Sequence, residues 1–294
     1  MKTILLTGGS GFIGRNVQES FLAQKYRVLA PGHQELDLCD ENALDAYLDA
    51  HRPDFVIHAA CKPAHRNAKD PHDIFYANSR MFFNLRRRAD AFEKFLFAGS
   101  GSVYDMRRYL PKMKEEHAWE VLPADELGLY KHAVSRVIEN TANMTDLRVF
   151  GIFGPYEDYA IRFISNAICK TLFDLPITLK QNRKFDYIWV QDFIRALDLF
   201  LEHDVAYRTV NITPDHSTEL LQLAKLVNKI SGKNLPIIVK EPGQGPEYSG
   251  DNTRFKQLFP DFQFTPLDEA VQTLYAWYAA RKDGLNKELL LTDK

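Results

Sequence analysis

The chain has 294 residues, 45% of them apolar and 26% charged, enough to bury the core of one large domain or two closely joined ones. Its 37 Lys and Arg against 39 Asp and Glu give a net charge of −2, which supplies no reason to expect a nucleic acid or a membrane surface as partner. No apolar run approaches the ~18 residues of a spanning helix, MKTILLTGG reaches glycines before a signal sequence develops, and Cys39, Cys61 and Cys169 are too few and too scattered for a disulfide framework or a zinc site, so a cytoplasmic protein without a metal is expected.

Residues 1–7 are one charge and then a short apolar run, which suits a buried parallel strand. Gly8-Gly9-Ser10-Gly11-Phe12-Ile13-Gly14 follows at once. From Arg15 an amphipathic stretch, with Val17, Phe21 and Leu22 on one face, suits a helix. Strand, glycine turn and helix are the context in which spaced glycines read as a dinucleotide-binding loop; a glycine turn without a ligand is the alternative. Gly8 permits the tight turn, Gly11 leaves the backbone open to a pyrophosphate, and Gly14 lets helix and strand pack closely. The free N–H groups and positive end of the helix then hold the phosphates.

Tyr26–Ala30 reads as a second strand, ended by Pro31-Gly32-His33. An acid just after this strand favours NAD and a cation suits the NADP phosphate. His33, Gln34 and Glu35 stand there, so NAD and NADP both stay open, with a slight lean to NADP. Glu41–Ala50 is a predicted helix with Leu44, Tyr47 and Leu48 inward. Asp54–Ala60 is a predicted strand ending in small residues, as close backbone approach to a cofactor requires, and His58 on it is expected to be structural. A polar loop over 62–71 and a long helix over 71–91 containing Asn78 lead to a strand at Lys94–Ala98. Further strands are expected at Thr145–Phe150, Pro176–Leu179, Val205–Thr213 and Leu235–Val239. Helices are expected at Tyr159–Leu172, at Phe193–Glu202 with Asp192 as cap, at Ser217–Ile230 and at Leu267–Ala280, with a loose tail from Asp283.

The G-x-x-G-x-x-G spacing after Thr7 resembles the TGGxGFIG opening of the extended short-chain dehydrogenase/reductase family, the NAD-dependent epimerases and dehydratases, many of which act on nucleotide-linked sugars. The resemblance runs from Met1 to about Arg281. It implies an α/β fold, a doubly wound parallel Rossmann sheet with a smaller C-terminal α/β substrate lobe. Residues 1–155 would form the dinucleotide domain, with parts of 180–215 returning to it, 156–281 the substrate lobe and 282–294 a tail. NAD or NADP would lie on Gly8, Gly11, Phe12, Ile13 and Gly14. His33 would stand near the adenosine ribose, and Asp37 and Leu38 would meet the adenine, a solvated loop Asp37 being the alternative. Ala59, Ala60 and Cys61 would line the cofactor, and Asn78 would bridge the helix and the active-site strand.

Ala98-Gly99-Ser100-Gly101-Ser102-Val103-Tyr104 resembles the family's S-S-x-S-V-Y-G segment, which implies Ser100 as the serine that bonds a substrate oxygen. Ser102 stands where some sugar-nucleotide epimerases of the family carry a cysteine, and Tyr156 where they carry a histidine. Gly101 and Ser102 replace the Asp-Glu pair of the dehydratases. The family's Tyr-x-x-x-Lys motif, in which lysine holds the nicotinamide ribose and tyrosine passes a proton, has two registers here: Tyr130 with Val134, or Leu127 with Lys131. The second is favoured, since valine cannot make the lysine's charged bond and Glu139 then sits where the family's helix carries an acid. Tyr130, Tyr104 and Tyr156 remain candidate acids. Gly250-Asp251-Asn252-Thr253-Arg254 resembles the family's pyrophosphate site, so Arg254, with Tyr104, Tyr156 and Arg162, is a substrate-side candidate; a surface arginine is the alternative. The expected protein is a nucleotide-sugar oxidoreductase or epimerase, and a dinucleotide-binding protein without turnover is the alternative. The resemblance also implies a homodimer, with Met81, Phe82, Leu85, Val134 and Val137 at the seam.

Overall fold

The computed structural model describes residues 1–64, 70 and 72–291; Pro71, where the sequence places a helix start, most of the preceding loop and the last three residues lie outside them. Among the described residues, six strands form one sheet in the order β10-β5-β4-β3-β1-β2, every pair parallel. They are β1 (Thr3–Thr7), β2 (Arg27–Leu29), β3 (Phe55–His58), β4 (Lys94–Ser100), β5 (Met144–Val149) and β10 (Thr209–Asn211). The strands carry near-continuous apolar runs because both faces are covered. Alternation sends Ile4, Leu6, Ile57, Leu96 and Leu147 to one core, and Leu5, Val56, Phe95 and Phe97 to the other.

α1 (Phe12–Gln18), a one-turn α2 (Leu22–Lys25) and α7 (Val190–Glu202) cover the first face. α3 (Glu41–His51), α4 (Ile74–Arg87) and α5 (Glu126–Glu139) cover the second. Side-chain caps set two of these starts: Asp40 accepts the Asn42 and Ala43 N–H groups before α3, and Asp125 accepts the Gly128 N–H at 2.9 Å before α5. Phe82, Leu85 and Val134, expected at a dimer seam, are fully buried between α4, α5 and the sheet. Asp192 is not the cap of α7, which starts two residues earlier. It is buried in the first turn and ties down the loop before the last long helix, accepting the Thr265 N–H at 2.8 Å and hydroxyl at 2.7 Å.

The strand order reverses at β1, between β2 and β3, which opens a crevice at the strands' carboxyl ends. The chain then builds a smaller lobe there. β6 (Gly151–Phe153) pairs with β9 (Tyr187–Trp189), β7 (Ile177–Asn182) pairs in parallel with β12 (Ile237–Gln244), and β8 (Lys184–Phe185) pairs antiparallel with β11 (Thr218–Glu219). α6 (Phe163–Leu172), α8 (Leu220–Ser231) and α10 (Leu267–Ala279) share its core. α9 (Thr253–Leu258) rejoins the large core through Phe255, although it lies within the stretch assigned to the substrate lobe. The tail is not loose as far as Leu291, because Leu290 of α11 (Glu288–Leu291) is buried in the small lobe's core.

Candidate active site

The glycine loop follows from what surrounds it. Gly8 has φ of +74°, and a Cβ there would lie 2.7 Å from the Ala60 nitrogen at the end of β3. A Cβ on Gly14 would lie 2.2 Å from the Gly8 oxygen, so β1 and α1 can only be this close if position 14 has no side chain. At Gly11 a Cβ would meet only the Gly8 oxygen, at 3.3 Å, so the space above it is open. Thr7 closes the floor: its Oγ1 lies 2.7 Å from His58 Nδ1 and accepts the Ala60 N–H at 3.3 Å. Burial, then the nearby Lys131 charge, pushes His58 down to about 3, so this ring is neutral and structural.

Asn78 is fully buried and spends its amide on the same wall. Its Oδ1 accepts the Lys62 N–H at 2.7 Å and its Nδ2 donates to the Lys62 and Ile74 oxygens at 3.0 and 2.9 Å. It therefore positions the segment after β3, beside Cys61. Leu38 is likewise a core residue. His33 is an exposed side chain after β2, with Nδ1 3.9 Å from Asp37 Oδ1, and Asp37 also accepts the Cys39 N–H at 2.9 Å.

Across the crevice, β4 runs out at Ser100. The Ser100 and Ser102 hydroxyls are 2.5 Å apart, and both open into a cleft of about 530 Å³ with Leu127, Phe12 and Tyr248 on its walls. Lys131, one turn on from Leu127, is 6% exposed, donates from Nζ to the Ala98 oxygen at 3.0 Å and lies 4.2 Å over the Phe97 ring. Burial lowers its pKa, against the pull of Cys61 and Asp146. Tyr130 beside it has its ring fully buried against Phe97 with the Lys131 amine 5.3 Å from its centroid, and its hydroxyl has no partner among the described residues. Arg162 and Arg183 also line the cleft, and Arg183 Nε is buried without an acceptor among the described residues.

The sequence matches the NAD dependent epimerase/dehydratase family over residues 4–213. The chain belongs to that family. A GDP-L-fucose synthase of Sinorhizobium fredii is 24% identical over 255 residues, 79% of this chain and 80% of that protein. A GDP-L-colitose synthase of Yersinia pseudotuberculosis is 34% identical over 105 residues, 34% of each chain. The GDP-mannoheptose C4 reductase of Campylobacter jejuni, solved with NADP bound, superposes with a TM-score of 0.81 at 18% identity, over 94% of this chain and 98% of that one. As an epimerase/dehydratase family member, an extended short-chain dehydrogenase/reductase, the protein takes a nicotinamide dinucleotide, NAD or NADP, as cofactor. The open cradle over Gly11 fits such a group.

For this family member three expected substrate contacts move elsewhere. Tyr104 is buried, donating to Asn211 Oδ1 at 2.7 Å and accepting from Arg148 at 3.0 Å. Tyr156 turns to α1, where its hydroxyl donates to Glu19 at 2.7 Å and Arg15 covers its ring at 4.3 Å. Arg254 donates to the Thr209 oxygen and Oγ1, both at 3.1 Å, and pairs with Glu115 at 3.6 Å. Arg162 is on the cleft as expected. Glu157, Met106 and Tyr248 are cleft residues that sequence reasoning missed. Nothing in the loop around Tyr248 marks it beyond one aromatic among glycines, prolines and charges.

Proposed function

We propose that this protein is a nicotinamide-dependent oxidoreductase that reduces a ketone on a nucleotide-diphosphate sugar. The supporting observation is that one cleft is lined by the Ser100–Ser102 pair, by Phe12 of the glycine loop and by Arg162 and Arg183. A diphosphate suits the guanidinium forks of Arg162 and Arg183. Ser100 bonds the reacting oxygen, and Lys131, one of whose three N–H groups is already spent on Ala98, seats the nicotinamide ribose. The bound cofactor supplies hydride exchange with the sugar carbon. Reduction is preferred to epimerisation because Ser102 and Tyr156 offer no acid–base pair of the cysteine–histidine kind, and Tyr156 faces α1 outside the cleft. The similarity to a GDP-L-fucose synthase and to a GDP-mannoheptose C4 reductase supports a GDP-linked sugar. The test is NADPH oxidation by the purified protein with GDP- and UDP-linked 4-keto sugars. Binding of NADP without turnover of any of them would favour the reading as a sensor or inactive subunit.

A further inference from the structure

Reducing a ketone to an alcohol requires a proton on oxygen as well as hydride on carbon, and Leu127 offers none. Resting on the functional reading above, we propose that Tyr248, from the loop after β12, is the proton donor of this active site. Its hydroxyl oxygen would lie 2.7 Å from a Cβ built on Gly101, the residue between Ser100 and Ser102, so the phenol sits beside the serine pair. The cleft reaches Tyr248, Leu127, Ser100 and Ser102 together.

The ring is held in place on every side. Its backbone N–H donates to the Lys184 oxygen at 2.9 Å, and its carbonyl accepts the Asp186 N–H at 3.1 Å. Its ring packs on Tyr109, Phe150 and Phe185 at centroid distances of 4.9, 5.3 and 5.7 Å. Such packing fixes a donor before the substrate arrives, which is what proton transfer in a site requires. The Tyr109 hydroxyl donates to the Gly101 oxygen at 3.4 Å, so both phenols reach the turn that carries the serine pair. Burial pushes the Tyr248 phenol up, against Arg162 and Tyr109, so it is protonated when substrate binds.

The other cleft groups are less suited. The two serine hydroxyls are bonded to one another and are weak acids, and the Glu157 carboxyl bonds Ser165. The Tyr187 ring packs on Gly151 and Phe153. In the step, the Tyr248 O–H bond breaks as an O–H bond forms on the sugar oxygen, the hydrogen and electron pair on carbon coming from the reduced nicotinamide. Water reprotonates the phenolate.

The experiment uses the full chain labelled with 3-fluorotyrosine, in which the resonance of position 248 is the one missing from Tyr248→Phe. NADP titration of the wild-type protein comes first; absence of binding sinks the functional reading, and this proposal with it. In the NADP-loaded protein, GDP-mannose and UDP-glucose are added as probes, and the one that binds is expected to shift the 248 resonance. With a 4-keto sugar that is turned over, Tyr248→Phe is expected to bind NADP as wild type does and to lose at least ~100-fold in rate. Adding Leu127→Tyr to that variant is expected to restore part of the rate, which a merely structural loss would not allow. A bound probe that leaves the 248 resonance unmoved, or a Tyr248→Phe rate within a few-fold of wild type, overturns the proposal. If no sugar is turned over, the resonance alone decides.

Discussion

Lys131 and Tyr130 are neighbours in sequence and are both buried against Phe97, but their polar atoms are used differently. The lysine amine reaches the carboxyl end of β4, where Ala98 holds it, while the tyrosine hydroxyl is buried without a partner among the described residues. A charge-assisted bond to a ribose hydroxyl is worth ~1.5–3 kcal/mol, so Lys131→Met is expected to weaken NADP binding about 10- to 150-fold. Tyr130→Phe removes a desolvated hydroxyl and is expected to leave binding unchanged, with stability equal or higher by up to ~1 kcal/mol. NADP titration and urea unfolding of both variants check this, and a Tyr130→Phe protein that no longer binds would restore the other register. His58 gives a pH dependence of stability. Its folded pKa of about 3 lies below the unfolded value of 6.5, so the unfolded chain binds more protons between these limits. The neutral ring's contribution is complete above pH 6.5 and is lost as pH falls towards 3. Between pH 7 and pH 5 the loss is ~2 kcal/mol from this group. Urea midpoints at the two pH values should show it in the wild type and much less in His58→Gln.

At the scale of elements, the first turn of the fold separates packing from ligand contact. Gly11→Val puts a branched side chain into the open cradle with one tight contact to the Gly8 oxygen, so the variant is expected to fold with a smaller loss of urea stability than Gly14→Ala and to lose dinucleotide binding. Gly14→Ala drives a methyl to 2.2 Å from the Gly8 oxygen and is expected to lose both, with a destabilisation of ~1–3 kcal/mol. Equal stabilities for the two variants would refute the distinction. This strand, loop and helix were legible in the sequence because both the apolar period and the glycine spacing are local. The long-range devices were not. Asp146 and Arg148, inside the strand expected at Thr145–Phe150, are both buried and linked, Arg148 Nε to Asp146 at 2.9 Å and its Nη2 to Ser135 of α5 at 2.6 Å. The same guanidinium holds Tyr104, which the motif placed at the substrate. Tyr248 reaches the cleft from almost 150 residues beyond Ser100, and no periodicity announces such a contact. Arg254, offered to phosphate by its motif, is taken by Thr209 and Glu115 because α9 docks on β10.

For the whole molecule, burial decides which apolar residues remain for a partner. Phe82, Leu85 and Val134 face the sheet, but α4 leaves Phe75, Tyr76 and Phe83 exposed at 36, 67 and 44%, and Met81 and Val137 flank the groove between α4 and α5 only partly covered. We propose that a second copy covers this face, pairing α4 and α5 across a two-fold axis. A two-fold contact presents the same residues from both sides, so one substitution is felt twice. Phe83→Glu would place two like charges in the seam, each desolvated if the contact formed. Light scattering at micromolar concentration is expected to give about twice 33.9 kDa for the wild type and a single-chain mass for Phe83→Glu, with NADP binding retained. The charge change lies on the outer face of α4, away from Ser100 and Lys131, so loss of the dimer and loss of the site are separable. A wild-type mass of one chain, or a Phe83→Glu protein that stays dimeric, would place the subunit contact elsewhere.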